Sequence, residues 1–529
     1  MHAMPKITPN AASPSFNPDV EIELVCQPDS VPILNGLETR VWRYSAALIK
    51  GPENTLTVLP GSYLGPILRF RKGQKIRIRL RNELPEPTIT HWHGLHVPAL
   101  MDGHPMYAID PGEVFVYEFE MLNRAGMYIY HPHPHEATAT QVYHGLAGAI
   151  LVNDEEEQAL GLPSGEYEIP VVIQDRTFDD QNQLVYGRGM HFARFGFYGE
   201  RILVNGRPDF RIDVSSRAYR LRVINASNAR IYKLAWDDGT PIVVIGVDGG
   251  LLERPEEKPY VMLAPGERLD VWADFSGRSA GSRLVMRSRS FSGALPRMAE
   301  RMMGRRGGMG GMGGMMGMGA MMAGTSLPVG GEYPIFTVNV TRSVSDSPSL
   351  PSHLPKIARY QLRDVANPDK PVPVAILEGP MSVLLNGRPY AENDVQESER
   401  IPVNSVQLME IFHAHDGMHG MGMMGGMGMG GHMGKDGGMG MMSSMAHPIH
   451  LHGEQFQILE RKIDEDHADD YATMRDGFIV SGWKDTVLVV PGERVRLIKP
   501  FHDFKGLYMY HCHNLEHEDM GMMRQFSVE

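Results

Sequence analysis

Several side chains that bind metals stand close together near the end of the chain. They are His511, Cys512, His513, His517 and Met522. A thiolate, an imidazole and a weak thioether are three of the four ligands of a blue-copper electron-transfer site, and the fourth is a second histidine, for which His447 is the candidate. A structural zinc site is the alternative, but it needs four closed ligands, usually in short Cys/His pairs. The segment therefore predicts a copper site.

The order of residues 511–513 can connect two metal centres. Side chains alternate across a strand, so His511 and His513 point to one face and Cys512 to the other. An electron that arrives at a copper on Cys512 then has a short covalent route to metals on the flanking histidines. The order predicts an electron-entry site joined directly to a second centre.

Three further pairs of histidines could supply this second centre. They are His91 and His93, His131 and His133, and His450 and His452. One intervening residue puts both imidazoles of a pair on the same strand face. Together with His511 and His513, the pairs provide eight nitrogen ligands, which suit three copper ions with positions left open for oxygen.

The first and last thirds of the chain echo each other. HWHG at 91 matches HLHG at 450, and GMYIYHPH at 126 matches GLYMYHCH at 506. Pro132 occupies the place that Cys512 has in the later motif. The first third keeps the histidines but lacks the thiolate, so only one electron-entry site is expected.

Short segments in which apolar and polar residues alternate must position these ligands. Pro-Gly and Asn-Gly turns separate the segments. Examples are residues 75–80, 114–119, 219–224 and 494–499. Such segments indicate an all-β fold of sandwiches. A Pro-Gly-Glu turn precedes a strand at 111, 265 and 491, which favours three related sandwiches.

We therefore expect three domains, at residues 19–155, 156–345 and 346–529. Between residues 154 and 360 the only histidines are His191 and His353. The middle domain thus has too few ligands for such a copper site, and we expect it to be a spacer that sets how the outer domains meet.

Two Met/Gly tracts interrupt the strand pattern, at residues 298–322 and 418–445. They hold 10 and 11 of the 37 methionines. Because they lack the β-branched and aromatic residues that bury a core, they are expected to be surface insertions. His413, His415, His419 and His432 lie in or beside the second tract and could add metal affinity, or have no role.

Composition excludes some classes of protein. The net charge of -12 gives no reason to expect a nucleic-acid partner, which would need a basic face. No run approaches the roughly 20 apolar residues of a membrane span. Residues 1–18 contain no apolar signal region, so the chain is cytoplasmic or its signal peptide has been removed. Of the two cysteines, Cys26 is expected to be a buried structural thiol.

The motifs HWHG, HPH, HPIHLHG and HCHNLEHEDMGM resemble those of the multicopper oxidases in their three-domain laccase-like form, in family order and across most of the chain. The resemblance implies three cupredoxin-like Greek-key β-sandwich domains and four copper ions. It assigns the type 1 copper to His447, Cys512, His517 and Met522, the type 2 copper to His91 and His450, and the type 3 pair to His93, His131, His133, His452, His511 and His513.

The resemblance also implies the reaction. Four one-electron oxidations of a substrate at type 1 copper would be coupled to reduction of dioxygen to water. Glu518 and Asp102 match positions where relatives carry acids that serve the trinuclear site; the alternative is that both are solvated loop carboxylates. His96, His104, His135 and His144 match no ligand position, and surface or incidental roles are expected for them.

The methionine-rich copper-efflux oxidases of bacteria are the subgroup that the chain resembles most. Met445 matches a ligand of the substrate Cu(I) in that group, but Ser443 stands where an acid is expected, and Asp416 or Asp436 could substitute. The expected partners are dioxygen and Cu(I) or a small aromatic reductant, for a monomer in the periplasm or outside the cell. A general laccase for phenols and a methionine-rich copper-storage protein are the alternatives.

Overall fold

The computed structural model describes residues 10–187, 189–297, 327–379, 382–414 and 444–529, with the backbone alone at 190 and 191. The first Met/Gly tract lies outside these residues, and so does the second apart from Ser444 and Met445. Asp416, Asp436 and Ser443 also lie outside them. Predictions about the conformation of the tracts therefore stay predictions.

The first β-sandwich is built from strands between residues 20 and 153. Its strands are β1 (Val20–Val31), β2 (Thr39–Lys50), β3 (Leu56–Thr57), β4 (Ile67–Arg71), β5 (Lys75–Asn82), β6 (Thr90–His93), β7 (Val114–Glu120), β8 (Gly126–Pro132) and β9 (Gly148–Asn153). They form two sheets, in the orders β2-β1-β5-β7 and β3-β4-β9-β8-β6. Alternate residues of β1, from Val20 to Cys26, are buried, as the sequence pattern predicts, and Cys26 is a buried free thiol.

The middle sandwich follows, between residues 168 and 342. Its strands are β10 (Glu168–Arg176), β11 (Arg201–Val204), β12 (Arg207–Pro208), β13 (Arg211–Ser215), β14 (Ala218–Asn225), β15 (Tyr232–Trp236), β16 (Ile242–Val247), β17 (Gly250–Lys258), β18 (Val261–Leu263), β19 (Arg268–Asp274), β20 (Arg283–Ser288) and β21 (Tyr333–Arg342). The sheet orders are β12-β11-β10-β14-β19-β16-β17 and β13-β21-β20-β15-β18.

The third sandwich occupies residues 372 to 528. Its strands are β22 (Val372–Glu378), β23 (Val383–Leu385), β24 (Arg400–Ile401), β25 (Ser405–His413), β26 (His447–Leu451), β27 (Gln457–Ile463), β28 (Thr486–Val489), β29 (Glu493–Phe501), β30 (Gly506–Cys512) and β31 (Met523–Val528). The sheet orders are β23-β22-β25-β29-β27 and β24-β31-β30-β26-β28. The prediction of an all-β fold of sandwiches is confirmed.

The three sandwiches share a topology, as the sequence echoes predict. Each contains a parallel pair of strands from distant parts of its sequence: β1 with β5, β10 with β14 and β22 with β25. Parallel neighbours need a crossover connection, which here runs through the other sheet of the same sandwich. Such crossings between two packed sheets are typical of Greek-key sandwiches.

In the part of the chain that the structure describes, α-helices are few and short. They are α1 (Thr138–Tyr143), α2 (Glu155–Gln158), α3 (Met190–Phe195), α4 (Ala468–Ala472) and α5 (Leu515–Asp519). None of the helices in the described part of the chain is long and apolar enough to cross a membrane. Two of them matter for the site, because α5 carries His517 and α3 packs against α5.

The histidine pairs lie on neighbouring strands at one end of the outer sandwiches. His91 on β6 is directly opposite His131 on β8, and His450 on β26 is opposite His511 on β30. The middle sandwich reaches the same place through the Pro-Gly-Glu turn before β19. A Cβ at Gly266, whose φ is +83°, would lie 2.9 Å from the ring of His513, so only glycine allows this approach.

Candidate metal centres

A thiol and two imidazoles converge in the core of the third sandwich. Sγ of Cys512 lies 3.5 Å from Nδ1 of His447 and 3.6 Å from Nδ1 of His517, and all three side chains are buried. Met522 is also fully buried, and its backbone carbonyl accepts a hydrogen bond from the amide of Cys512. The structure thus brings together the residues proposed for the electron-entry site.

Hydrogen bonds orient the groups of this thiol site. Nε2 of His517 lies 3.0 Å from the backbone carbonyl of Arg194 on α3, so this nitrogen carries the proton and Nδ1 turns its lone pair toward Cys512. The backbone amide of Asn514 donates a hydrogen bond to Sγ of Cys512 at 3.4 Å. Burial raises the pKa of Cys512 well above its ordinary value, so binding of a metal ion to the thiolate must release a proton.

The eight paired histidines meet between the first and third sandwiches. Their donor atoms form three groups in which all atoms lie within 4.8 Å of one another. The groups are His91, His93 and His450; His93, His131 and His513; and His133, His452 and His511. Each group draws on both sandwiches, so the cluster exists only when the two domains are packed together.

The tautomers of these imidazoles can be deduced from their outer partners. Nδ1 of His91 lies 2.6 Å from the carbonyl oxygen of Asp102, and Nδ1 of His450 lies 2.9 Å from that of Asp485. A carbonyl only accepts, so both Nδ1 atoms carry protons and both Nε2 atoms present lone pairs. These two Nε2 atoms face each other at 3.4 Å. Two lone pairs cannot form a hydrogen bond, but they can bind one cation.

Oxygen atoms also lie against Nδ1 of His452 and of His511. Nδ1 of His452 lies 2.7 Å from Oδ2 of Asp102, and Nδ1 of His511 lies 3.1 Å from the carbonyl of Cys512. Their Nε2 atoms face each other at 3.1 Å. Burial, together with the neighbouring imidazoles, lowers the pKa of His452 well below its ordinary value. The imidazole of His452 is therefore held neutral, the form that binds metals.

Other ring nitrogens of the cluster fit a metal centre for a second reason. Among the described residues, Nδ1 of His93, Nε2 of His131 and both ring nitrogens of His513 are buried without a hydrogen-bond partner. Unsatisfied buried polar atoms are costly and rare. Imidazole lone pairs in this number and arrangement suit copper, and the residues present fit it.

Both acids expected at the cluster contact its histidines. Asp102 is buried and touches His452, and its backbone carbonyl holds His91. Burial raises the pKa of the Asp102 carboxyl well above its ordinary value, partly countered by Lys499. Glu518 is also buried, with Oε2 3.1 Å from Nδ1 of His511 and Oε1 3.6 Å from Nε2 of His133. Neither is a solvated loop carboxylate.

Two further residues hold the cluster, and sequence reasoning missed them. Oδ1 of Asp485, which precedes β28, lies 3.0 Å from Nε2 of His93. Arg268 of the middle sandwich pairs with both oxygens of Asp485, at 2.6 and 2.5 Å. The middle sandwich is therefore more than a spacer. The only sequence signal was the Pro-Gly-Glu turn before Arg268, which indicates a strand and not a contact.

A buried carboxylate beside the thiol site was also missed. Oε1 of Glu378, at the end of β22, lies 3.1 Å from Nε2 of His447, and Oε2 lies 3.5 Å from Nδ1 of His413. The backbone amide of Met445 approaches the same carboxylate at 3.2 Å. Glu378 thus places a carboxylate beside Met445. Its position in the sequence, 69 residues before His447, carries no signal of this contact.

The remaining histidines near the first-domain motifs lie outside the cluster. His104 is buried, hydrogen-bonds Gln525 at 3.0 Å and caps a turn at Met106. His144 hydrogen-bonds the carbonyl of Thr140. His135 is exposed beside Glu136, and His96 lies at the surface beside Asp503.

Comparison with known proteins agrees with this geometry. The family models described as multicopper oxidase match residues 41–157 and 438–529. A multicopper oxidase of Staphylococcus aureus is 28% identical over 88% of this chain and 83% of its own length. A laccase of Bacillus subtilis is 27% identical over 93% and 90%.

A solved structure resembles the chain over almost its whole length. The McoA multicopper oxidase of the hyperthermophile Aquifex aeolicus is 30% identical, covers 97% of both chains and superposes with a TM-score of 0.72. The shared fold, the histidine cluster and the matching family models all indicate the same family. This protein therefore belongs to the multicopper oxidase family, whose members are copper-dependent oxidoreductases.

Proposed function

We propose that this protein couples one-electron oxidation of a substrate at a type 1 copper to four-electron reduction of dioxygen to water at a trinuclear copper cluster. One observation carries the proposal: Sγ of Cys512 faces His447 and His517, while the adjacent His511 faces the histidine cluster. Bound copper would supply the one-electron transfers and the reduction of dioxygen.

The contacts support one assignment of ligands to four copper ions. Type 1 copper would be held by His447, Cys512 and His517 with Met522, type 2 copper by His91 and His450, and the type 3 pair by His93, His131 and His513 on one side and His133, His452 and His511 on the other. A copper-storage protein would not need its ligands arranged in separate type 1, type 2 and type 3 sites. Such a protein would bind copper without consuming oxygen, so an oxygen electrode distinguishes the two.

The residues around the coppers have separate tasks. The backbone between Cys512 and His511 would provide a covalent path for electrons between copper at the entry site and copper at the cluster. Glu518 lies close enough to His511 and His133 to relay protons to the oxygen site, where reduction of dioxygen consumes four. Asp102 holds His452 and His91 in position and so affects the copper site only through these two ligands.

The entry site favours a low-valent metal ion, Cu(I) above all, as the substrate. Met445 is buried immediately before β26, and its thioether is a soft donor suited to Cu(I). The carboxylate of Glu378 adds negative charge 3.1 Å from the type 1 ligand His447. Each Cu(I) would give one electron and leave as Cu(II). An oxidase for entering copper would act in the periplasm or outside the cell.

A small aromatic reductant is the second candidate, and Arg194 favours it. Nη1 of Arg194 lies 3.4 Å from Glu378 and 3.7 Å from Sδ of Met445. This positive charge opposes an incoming cation but not a neutral phenol. A phenol could donate its hydroxyl proton to Glu378 as it loses an electron. Oxidation of phenols is the laccase reaction.

Met445→Leu separates the two substrates. Leucine keeps the volume but removes the soft donor, so steady-state oxidation of Cu(I) should fall at least tenfold while oxidation of a phenol stays unchanged. Met106→Leu, on the first sandwich and away from the entry site, is the control and should change neither rate. Unchanged Cu(I) oxidation with reduced phenol oxidation would instead identify the aromatic reductant as the substrate.

A further inference from the structure

A second group of metal-ligand side chains lies at the surface where the first sandwich meets the third. We call it the junction cluster; it consists of His96, Glu454, His502 and Asp503. Nε2 of His96 lies 2.7 Å from Oδ1 of Asp503 and 3.9 Å from Oε1 of Glu454. Nδ1 of His502 lies 2.8 Å from Oε2 of Glu454. Two imidazoles and two carboxylates therefore converge across the domain boundary.

The donor atoms of the cluster lie close enough together to bind one metal ion. Four ligands at about 2.0–2.2 Å from a tetrahedral Zn²⁺ are roughly 3.3–3.6 Å from each other. The separations between neighbouring donors of the junction cluster are 2.7, 2.8 and 3.9 Å, on either side of this range. All four side chains line one small cavity, which an ion shared by them would occupy.

The charge of the cluster also favours a cation. In the described part of the chain, Glu454 and Asp503 form ion pairs only with the imidazoles of the cluster. With neutral imidazoles, the two carboxylates carry two negative charges; the buried ammonium of Lys499, bonded to the backbone carbonyl of Glu454, offsets part of this charge, and a cation would neutralise the rest. Mixed imidazole and carboxylate donors suit borderline divalent ions such as Cu²⁺ and Zn²⁺.

The imidazoles are oriented from behind, as ligands of a metal usually are. The hydroxyl of Tyr360 lies 3.2 Å from Nε2 of His502, which leaves Nδ1 facing Glu454. The ring of Phe504 packs edge-on against His96 with centroids 5.0 Å apart. The side chains of His96 and His502 are 18% and 44% exposed, so an ion can reach them from solvent.

The position of the cluster gives such an ion a structural effect. His96 belongs to the first sandwich and the other three residues to the third, the same two domains that build the histidine cluster. Glu454 follows the ligand His452 by two residues, and both line one small cavity with His96. We propose that the junction cluster binds one divalent transition-metal ion, of the Cu²⁺ or Zn²⁺ class, and so links the two domains beside the oxygen site.

Zn²⁺ titration of the copper-loaded protein by calorimetry tests the proposal. His96→Ala and His502→Ala should each abolish one Zn²⁺ equivalent or weaken it at least tenfold. Asp503→Asn, which keeps both imidazoles, should weaken the same equivalent. Zn²⁺ can also bind to histidines elsewhere, so each variant is compared with the unchanged protein. His135→Ala, which removes an exposed histidine beside a single glutamate, is the matched control and should lose nothing.

Copper content and the blue colour of each variant check that the fold and the oxidase centres are intact. Equal Zn²⁺ stoichiometry and affinity in the unchanged protein and in both histidine variants would overturn the proposal and leave the cluster as a network of ion pairs. Loss of the same equivalent in His135→Ala would overturn it as well, because the binding would then not depend on the cluster.

Discussion

The guanidinium of Arg268 and the carboxylate of Asp485 form a bidentate ion pair that joins the middle sandwich to the third. Both residues are fully buried, and the two N–O distances are 2.6 and 2.5 Å. Asp485 in turn contacts His93 of the first sandwich. All three domains therefore meet at one carboxylate beside the proposed type 3 site.

Arg268→Met should weaken both the fold and the metal cluster. Removal of one partner leaves the other charge buried and unpaired, which costs about 3–5 kcal/mol of the free energy of unfolding. Asp485 would also no longer be held against His93, so copper at the trinuclear site should fall while the blue type 1 copper is retained. Denaturant unfolding and copper analysis measure the two effects.

Arg287→Met is the control for this variant, because Arg287 pairs with Glu332 at the surface. It should cost about 0–1 kcal/mol. Equal losses in the two variants would show that the pair between Arg268 and Asp485 has no special role.

Glu518→Gln should slow the reduction of dioxygen by about 10²-fold or more, the usual contribution of a positioned proton donor. Glutamine keeps the size of the side chain but cannot release a proton beside His511 and His133. Copper content and blue colour should not change, and oxygen consumption measures the rate. Glu516→Gln, on the same helix but hydrogen-bonded to Asn228 and Tyr186, is the control. Unchanged turnover of Glu518→Gln would remove this acid from the mechanism.

Deletion of residues 418–442 should lower the rate of Cu(I) oxidation and raise that of phenol oxidation. The deletion removes ten methionines of the second tract but keeps Met445 at the entry site. If the tract collects Cu(I) and also covers the site, both rates should change in opposite directions. Steady-state kinetics with the two substrates measure this, and two unchanged rates would remove the tract from the proposed function.

The stability of the protein should fall in acid through Glu168. Burial alone would raise the pKa of Glu168, but Arg222, Arg220 and Arg69 outweigh it and lower the pKa to about 2. The ordinary value is 4.5, so the charged form contributes about 3 kcal/mol of stability above pH 4.5. This contribution is lost as the pH falls from 4.5 toward 2.

Glu168→Gln should therefore flatten the dependence of the thermal unfolding midpoint on pH between 4.5 and 2. Glu332→Gln, at an exposed ion pair, should leave that dependence as it is. An equally steep loss of stability in Glu168→Gln and the unchanged protein would contradict the prediction.

Much of the fold and the site could be predicted because strand geometry is local. Side chains alternate along a strand, so the spacing of His511, Cys512 and His513 already implies two centres on opposite faces. The matching motif with Pro132 implies that only one of them has a thiolate. The repeated Pro-Gly-Glu turns implied related sandwiches, and the shared parallel strand pairs confirm them.

The contacts that hold and modify the centres could not be predicted, because they join residues far apart in the sequence. Glu378 reaches His447 only because β22 ends beside the start of β26, and a lone glutamate at the end of a strand gives no sign of this. The sequence indicates an acid only in the loop before Met445 and gives no sign of one on another strand. Arg268 was missed because the middle domain has no ligand histidines.

The sequence by itself determined which side chains could bind copper and that only one of the two matching motifs carries a thiolate, since both follow from residue type and the two-residue period of a strand. Only the tertiary structure decided which lone pairs face each other and which acids touch them. The physical reason is that the cluster lies between domains: its geometry depends on how three separately folded sandwiches pack, with Arg268 and Asp485 buried where they meet.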